Sequence, residues 1–209
     1  MKYKIKEIFF TQQGEGKNTG KDFVFVRFSG CNLWSGKEKN RATAICSFCD
    51  TDFYGTDGIN GGRYQVKDLI KKIKSLWISA ESQIRVVLTG GEPLLQVDKT
   101  LIDALKKEGI YIAVETNGTL EAPDGIDWIC MSPKANTEIK LRKGSEVKIV
   151  YPQENLNPKD FNFLDFKNFY IQPMDTRTYE NNVSRAVKFC MNNPKWKLSL
   201  QTHKILGIR

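Results

Sequence analysis

Cys31, Cys46 and Cys49 stand in a C-x14-C-x2-C arrangement, in a polar stretch that follows the apolar run Phe23-Val-Phe-Val-Arg-Phe28. Thiolates bind metals, and a structural zinc site closes its shell with four ligands, whereas a catalytic site keeps a position open. Iron-sulfur clusters are likewise usually held by four cysteines, so three thiolates on a four-iron cube leave one iron free for substrate or cofactor. That open position points to catalysis. Acids, cations and the single histidine stand in short polar segments elsewhere: Glu92 in Thr89-Gly-Gly-Glu-Pro93, Lys134 in Ser132-Pro-Lys134, Asp175 in Pro173-Met-Asp175, and His203 after Thr202.

These segments must be carried by a scaffold. Strand signals fall at 23–28, 84–88, 110–115, 127–131, 146–150, 168–172 and 197–201, and amphipathic helices at 65–77, 95–108 and 180–192, the last ended by Pro194. Strand-then-helix order predicts a parallel sheet. The connections at 116–126 and 132–145 are too short or too polar for full helices, so the expectation is an incomplete, open (β/α)6-like parallel barrel. Residues 3–9 add a strand or an N-terminal extension. Each polar segment then follows a strand, which collects them at the C-terminal sheet edge, where parallel barrels build active sites.

Length and charge narrow the class. At 209 residues and 40% hydrophobic composition, the chain has the size of one domain, 1–209. Its five cysteines are an odd number with one C-x2-C pair, which suits metal chemistry in a reducing compartment better than a disulfide framework. Cys130 and Cys190 lie at apolar positions and read as core. The N-terminus Met1-Lys-Tyr-Lys-Ile-Lys-Glu7 lacks an apolar export segment, and no run reaches the roughly eighteen apolar residues of a membrane span. The expected location is the cytoplasm. A net charge of +8 is spread along the chain, and its densest run, Lys67 to Lys74, lies opposite Val66, Leu69, Ile70, Ile73 and Trp77 on one helix. This reads as a solvated face, with no direct nucleic-acid binding.

Taken together, the three-cysteine loop and Thr89-Gly-Gly-Glu-Pro93 resemble the radical S-adenosylmethionine (SAM) superfamily. More narrowly, Gln12-Gln-Gly-Glu-Gly16, Arg27-Phe-Ser-Gly-Cys-Asn-Leu-Trp34, Cys46-Ser-Phe-Cys-Asp-Thr-Asp52, Glu115-Thr-Asn-Gly118, Gln172-Pro-Met-Asp175 and Gln201-Thr-His-Lys204 resemble its 7-carboxy-7-deazaguanine synthase family from end to end. Most superfamily members space their cysteines C-x3-C-x2-C. The longer gap resembles one subgroup of the synthases, and a long loop costs only logarithmically more closure entropy.

The resemblance implies a modified radical SAM core and an enzyme that contracts the ring of 6-carboxytetrahydropterin, expelling ammonia, on the route to queuosine-type nucleosides. It implies a 4Fe-4S cluster on Cys31, Cys46 and Cys49. SAM would then meet Gly91, Glu92, Thr116, Asn117, Ser132, Pro133, Lys134 and Gln172. Glu92 is expected to pair with the cofactor's ammonium. The substrate is expected at Gln12, Gln13, Gly14, Glu15, Arg27, Thr89 and His203, with Arg27 taking the carboxylate through its planar fork. The tail ending in Arg209 is expected to reach the site. Thr51 would steer Mg2+, and a homodimer fed by an electron donor such as flavodoxin completes the picture. Two other classes fit the cysteines alone: an activating enzyme for a glycyl-radical partner, and a non-catalytic zinc module with His203 as fourth ligand.

Overall fold

The computed structural model describes residues 2–209. Among these, one sheet is built from β1 (Tyr3–Gln12), β2 (Asp22–Phe28), β3 (Gly62–Tyr64), β4 (Arg85–Gly90), β5 (Tyr111–Thr116), β6 (Trp128–Met131), β7 (Lys143–Tyr151), β8 (Asp165–Pro173) and β9 (Trp196–Leu198). The helices are α1 (Val66–Leu76), α2 (Lys99–Lys107), α3 (Tyr179–Asn192) and α4 (Thr202–Leu206). Strand order is β3-β1-β2-β4-β5-β6-β7-β8-β9. Pairing is parallel from β2 through β9, and β1 runs antiparallel to β2 and β3. Because β3 and β9 end the sheet at opposite sides, the barrel stays open, as expected.

Alternation of side chains along each strand explains both faces of the sheet. Val86 and Leu88 of β4 and Ile112 and Val114 of β5 pack outward on Leu69 and Ile73 of α1 and Leu101 and Leu105 of α2. Val147 and Ile149 of β7 and Phe169 and Ile171 of β8 pack with Ala186 of α3 and Trp196. Inside the curve, Phe23, Val87 and Ala113 form a small apolar patch. Buried polar groups from other strands, among them Glu146, Lys148 and Gln172, interrupt the apolar core. No helix among the described residues is long and apolar enough to cross a membrane.

Local chemistry moved two boundaries and added one strand. The helix expected from 95 begins at Lys99, because Pro93–Leu95 winds a 3-10 turn and Asp98 accepts the Leu101 N–H at 2.9 Å as the cap. The last strand stops at Leu198 rather than 201, since residues from Thr202 turn into α4, ended by Gly207 at φ +65°. Strand β3 was not anticipated: three residues carry too little periodicity to read, and its pairing with Tyr3–Ile5 makes it a strand.

Asp98 also accepts the Tyr3 hydroxyl at 2.8 Å, so one carboxylate caps α2 and fixes the start of β1. Asp98→Ala is expected to lower unfolding free energy by about 1–2 kcal/mol in urea titrations, with Asp98→Asn retaining most of the cap.

Candidate active site

The segment after β1 crosses the C-terminal edge of the sheet and is tied down by buried charge. Lys148 of β7 is 2% exposed. Its ammonium donates to Glu15 Oε2 at 2.5 Å and to Glu115 Oε2 at 2.9 Å. Glu15 Oε1 accepts from Gln172 at 3.1 Å and Gln201 at 2.9 Å, while Gln13 donates to Glu115 Oε1 at 2.8 Å. The Gly16 N–H donates to Ser199 Oγ at 2.9 Å, and the Lys17 N–H to Glu146 Oε2 at 2.8 Å. Burial pushes the Glu15 carboxyl up, but the Lys148 charge and its hydrogen bonds prevail and bring it down to about 2. Burial raises the Glu146 carboxyl, which also accepts the Cys130 thiol at 3.1 Å.

Above this floor lies a basin of about 560 Å³, a volume that fits a cofactor with a small substrate. Cys31, Cys46 and Cys49 line it together with Thr51, Thr89, Gly91, Thr116, Asn117, Ser132, Lys134, Gln172, Gln12, Gln13, Gly14, Glu15, Arg27, His203 and Arg209. The interaction between the neighbouring Cys46 and Cys49 thiols draws Cys49 down to about 6 and pushes Cys46 up. Burial raises the Cys31 thiol. No three His, Cys, Asp or Glu side chains among the described residues gather tightly enough to grip one ion. Three thiols on one basin are the number that a four-iron cube with one open iron takes. His203 does not join them: it packs on Gly14, where a Cβ would sit 2.2 Å from its Nδ1.

Two expected residues, Glu92 and Pro133, do not line the basin. Glu92 is fully buried, and its carboxylate accepts from the Leu94 N–H at 3.0 Å, Thr116 Oγ1 at 2.8 Å and the Asn117 N–H at 2.7 Å. Burial pushes its carboxyl up against those donors. It therefore braces the wall behind Thr116 and Asn117 instead of facing a ligand. Asn117 in turn donates to Asn32 at 2.9 Å, tying the β5 edge to the residue after Cys31. Gly91 also has a packing task, since a Cβ there would lie 2.3 Å from Gly30 O and 2.7 Å from Cys31 Cβ.

Most cations of the basin are paired. Arg27 Nε meets Glu7 Oε1 at 2.8 Å across the β1–β2 register, and Arg209 Nη1 meets Glu7 Oε2 at 3.2 Å. Both arginines share the one Glu7 carboxylate on this wall. Lys204 bridges Asp50 at 2.5 Å and Asp175 at 2.6 Å, and Lys6 bridges Asp52 and Asp57 at 2.8 Å each. Among the described residues, Lys134 alone of the basin's lysines and arginines has no carboxylate partner; it donates to Ser132 O and Oγ at 2.5 and 2.9 Å. The tail returns along β1, where Thr11 Oγ1 donates to Arg209 O at 2.7 Å.

Sequence reasoning passed over Glu115, Lys148, Gln201 and Lys204 as site residues, though each lines the basin. In the sequence Glu115 and Lys148 read as polar positions of strands, and nothing in their spacing marks them as a buried pair.

The Radical SAM superfamily model matches residues 40–143. Proteins named 7-carboxy-7-deazaguanine synthase from Bradyrhizobium diazoefficiens and Caulobacter vibrioides are 55% and 53% identical to this chain, covering 100% of both chains in each case. The crystal structure of QueE from Escherichia coli superposes with a TM-score of 0.73 at 25% identity, covering 96% of this chain and 94% of that one.

Glu15 gives the fold a signed pH dependence. Its carboxyl falls from the ordinary 4.5 to about 2 on folding, so the stability it adds is fully present above 4.5 and lost as pH falls toward 2. Denaturation titrations between pH 5 and 2 should show this decline in the wild type and a flatter profile in Glu15→Gln.

Proposed function

Because the chain belongs to the 7-carboxy-7-deazaguanine synthase family of radical SAM enzymes, we propose that its basin performs a radical ring contraction. The substrate is 6-carboxy-5,6,7,8-tetrahydropterin and the product 7-carboxy-7-deazaguanine, formed with loss of ammonia in 7-deazapurine biosynthesis. The observation that carries this reading is the placement of three thiols around one basin with Lys134, which has no carboxylate partner among the described residues. Cys31, Cys46 and Cys49 would hold a 4Fe-4S cluster, which together with SAM would supply 5'-deoxyadenosyl radical chemistry.

The chain's own residues divide the remaining work. Lys134 has no competing carboxylate among the described residues and, with Ser132, suits the carboxylate of the cofactor. Thr116 and Asn117 form the adjoining wall, held from behind by Glu92, while Gly91 contributes backbone. Gln172 and the turn through Asp175 take the adenosine end. On the opposite side, the Arg27–Glu7–Arg209 group attracts the substrate carboxylate, since Arg27 keeps its terminal nitrogens free of partners among the described residues. Gln12, Gln13 and Gly14 meet the pyrimidine edge, Glu15 accepts from its N–H groups, and Thr89 and His203 flank it.

Thr51 is a neutral hydroxyl and a poor sole ligand for a hard cation, so Mg2+ is held chiefly by substrate oxygens and water with Thr51 steering it. The enzyme acts as one domain over residues 1–209, in the cytoplasm, as a homodimer drawing electrons from a flavodoxin-type carrier.

Anaerobic incubation of reconstituted protein with SAM, reductant, Mg2+ and the carboxylated pterin should yield the deazaguanine and ammonia; intact pterin beside cleaved SAM would refute the substrate. Calorimetry should detect Mg2+ binding only when substrate is present. Tight binding to substrate-free protein would contradict the role given to Thr51.

A further inference from the structure

The stretch between Cys31 and Cys46 winds a 3-10 turn, Glu38–Thr43, that returns a side chain to the cysteines. Arg41 Nη1 donates to the carbonyls of Ser47 and Cys49, at 2.9 Å each. Its Nε donates to Glu38 Oε1 at 2.7 Å, which orients the guanidinium. The guanidinium carbon lies 4.1 Å from the centroid of the Trp34 ring. Trp34 meets Phe53 edge-on, with centroids 5.4 Å apart. Both ends of the cysteine loop are fastened to this stack. Phe53 O accepts the Gly30 N–H at 3.3 Å just before Cys31, and Leu33 O accepts the Cys46 N–H at 3.4 Å. Trp34 holds its place although its buried Nε1 has no hydrogen-bond partner among the described residues, so packing keeps it there.

We propose that Arg41 is a positioning residue for the iron-sulfur cluster: it locks the turn from Cys46 to Cys49 for ligation and turns the cationic end of its ion pair with Glu38 toward Cys49. This rests on the cluster reading above. A three-residue gap between the first two cysteines has no room for such a side chain, so the long gap acquires a task. Arginine suits the place because one planar group stacks on an indole while its nitrogens bridge carbonyls, which an ammonium cannot do. Groups just outside the ligands orient them and tune the metal, and cluster potentials follow net charge, hydrogen bonding and exposure. Reduction adds one negative charge to the cluster, so a cation held beside it favours the reduced state. The loop thus stabilises the form that must deliver an electron.

The test compares wild type with Arg41→Met and Arg41→Lys after anaerobic reconstitution with iron and sulfide. Two quantities are read: the rate at which a ferrous chelator strips iron, and the midpoint potential followed by electron paramagnetic resonance during reduction. Arg41→Met should lose iron on the order of 10-fold faster and show a more negative potential. Arg41→Lys should keep the wild-type potential more closely while still losing iron faster. Wild-type rate and potential in Arg41→Met would overturn the proposal, and faster loss at unchanged potential would overturn the role of the charge. Should Arg41→Met fail to fold by circular dichroism, the Arg41→Lys stripping rate decides, and an unchanged rate overturns the positioning role. A wild type that takes up zinc and no iron overturns the cluster reading itself, and does so before any variant is made.

Discussion

An ammonium group buried in the interior of a half-barrel needs partners, and Lys148 has two carboxylates that come from different parts of the chain. Removing a charge from water costs several kcal/mol unless close, well-directed hydrogen bonds replace the lost solvent. Glu115 is supplied by the strand β5 within the sheet, but Glu15 arrives on the segment after β1. An open parallel sheet has no strand to close its mouth. Here the charged group draws residues 13–17 across that mouth, and the amides of Gly16 and Lys17 complete the crossing by bonding to Ser199 and Glu146.

The basin beside the crossing is lined by the cysteines, the glycine turn after β4 and Lys134, and also by Gln12, Gly14, Arg27 and the returning tail with Arg209. Gln201, which donates to Glu15, leads directly into α4, and α4 carries both His203 against Gly14 and Lys204 against Asp50 and Asp175. The same carboxylate therefore links the crossing segment to the helix whose Lys204 pairs with Asp50, the residue after Cys49. Radical chemistry benefits from such rigid positioning, since the protein's part is to hold the reacting groups in place and keep other reactions out.

Much of this was legible before any coordinates, and the reasons are physical. Strands buried on both faces announce themselves as apolar runs, so Ile84-Arg-Val-Val-Leu88 and Ile110-Tyr-Ile-Ala-Val114 were readable, and with them the polar segments that must follow at the sheet edge. The cysteines were readable because few other uses explain three of them at that spacing. Pairings across register were not. Arg27 lies opposite Glu7 only because β1 is antiparallel to β2, which the spacing of neither residue discloses. Glu92 reads as a free carboxylate in a turn, and its burial under three donors depends on β5 lying alongside β4. Glu115 and Lys148 looked like exposed positions of alternating strands, because the segment that covers them is more than a hundred residues distant from Lys148 in sequence.

Amide hydrogen exchange at residues 13–18 tests most directly whether Lys148 anchors the crossing segment, since protection reports local opening free energy residue by residue. In the wild type the Gly16 and Lys17 amides should be protected, and in Lys148→Met that protection should be lost while the amides of β4 and β5 keep theirs. Unchanged protection at Gly16 and Lys17 in the variant, or a loss spread evenly through β4 and β5, would contradict the account.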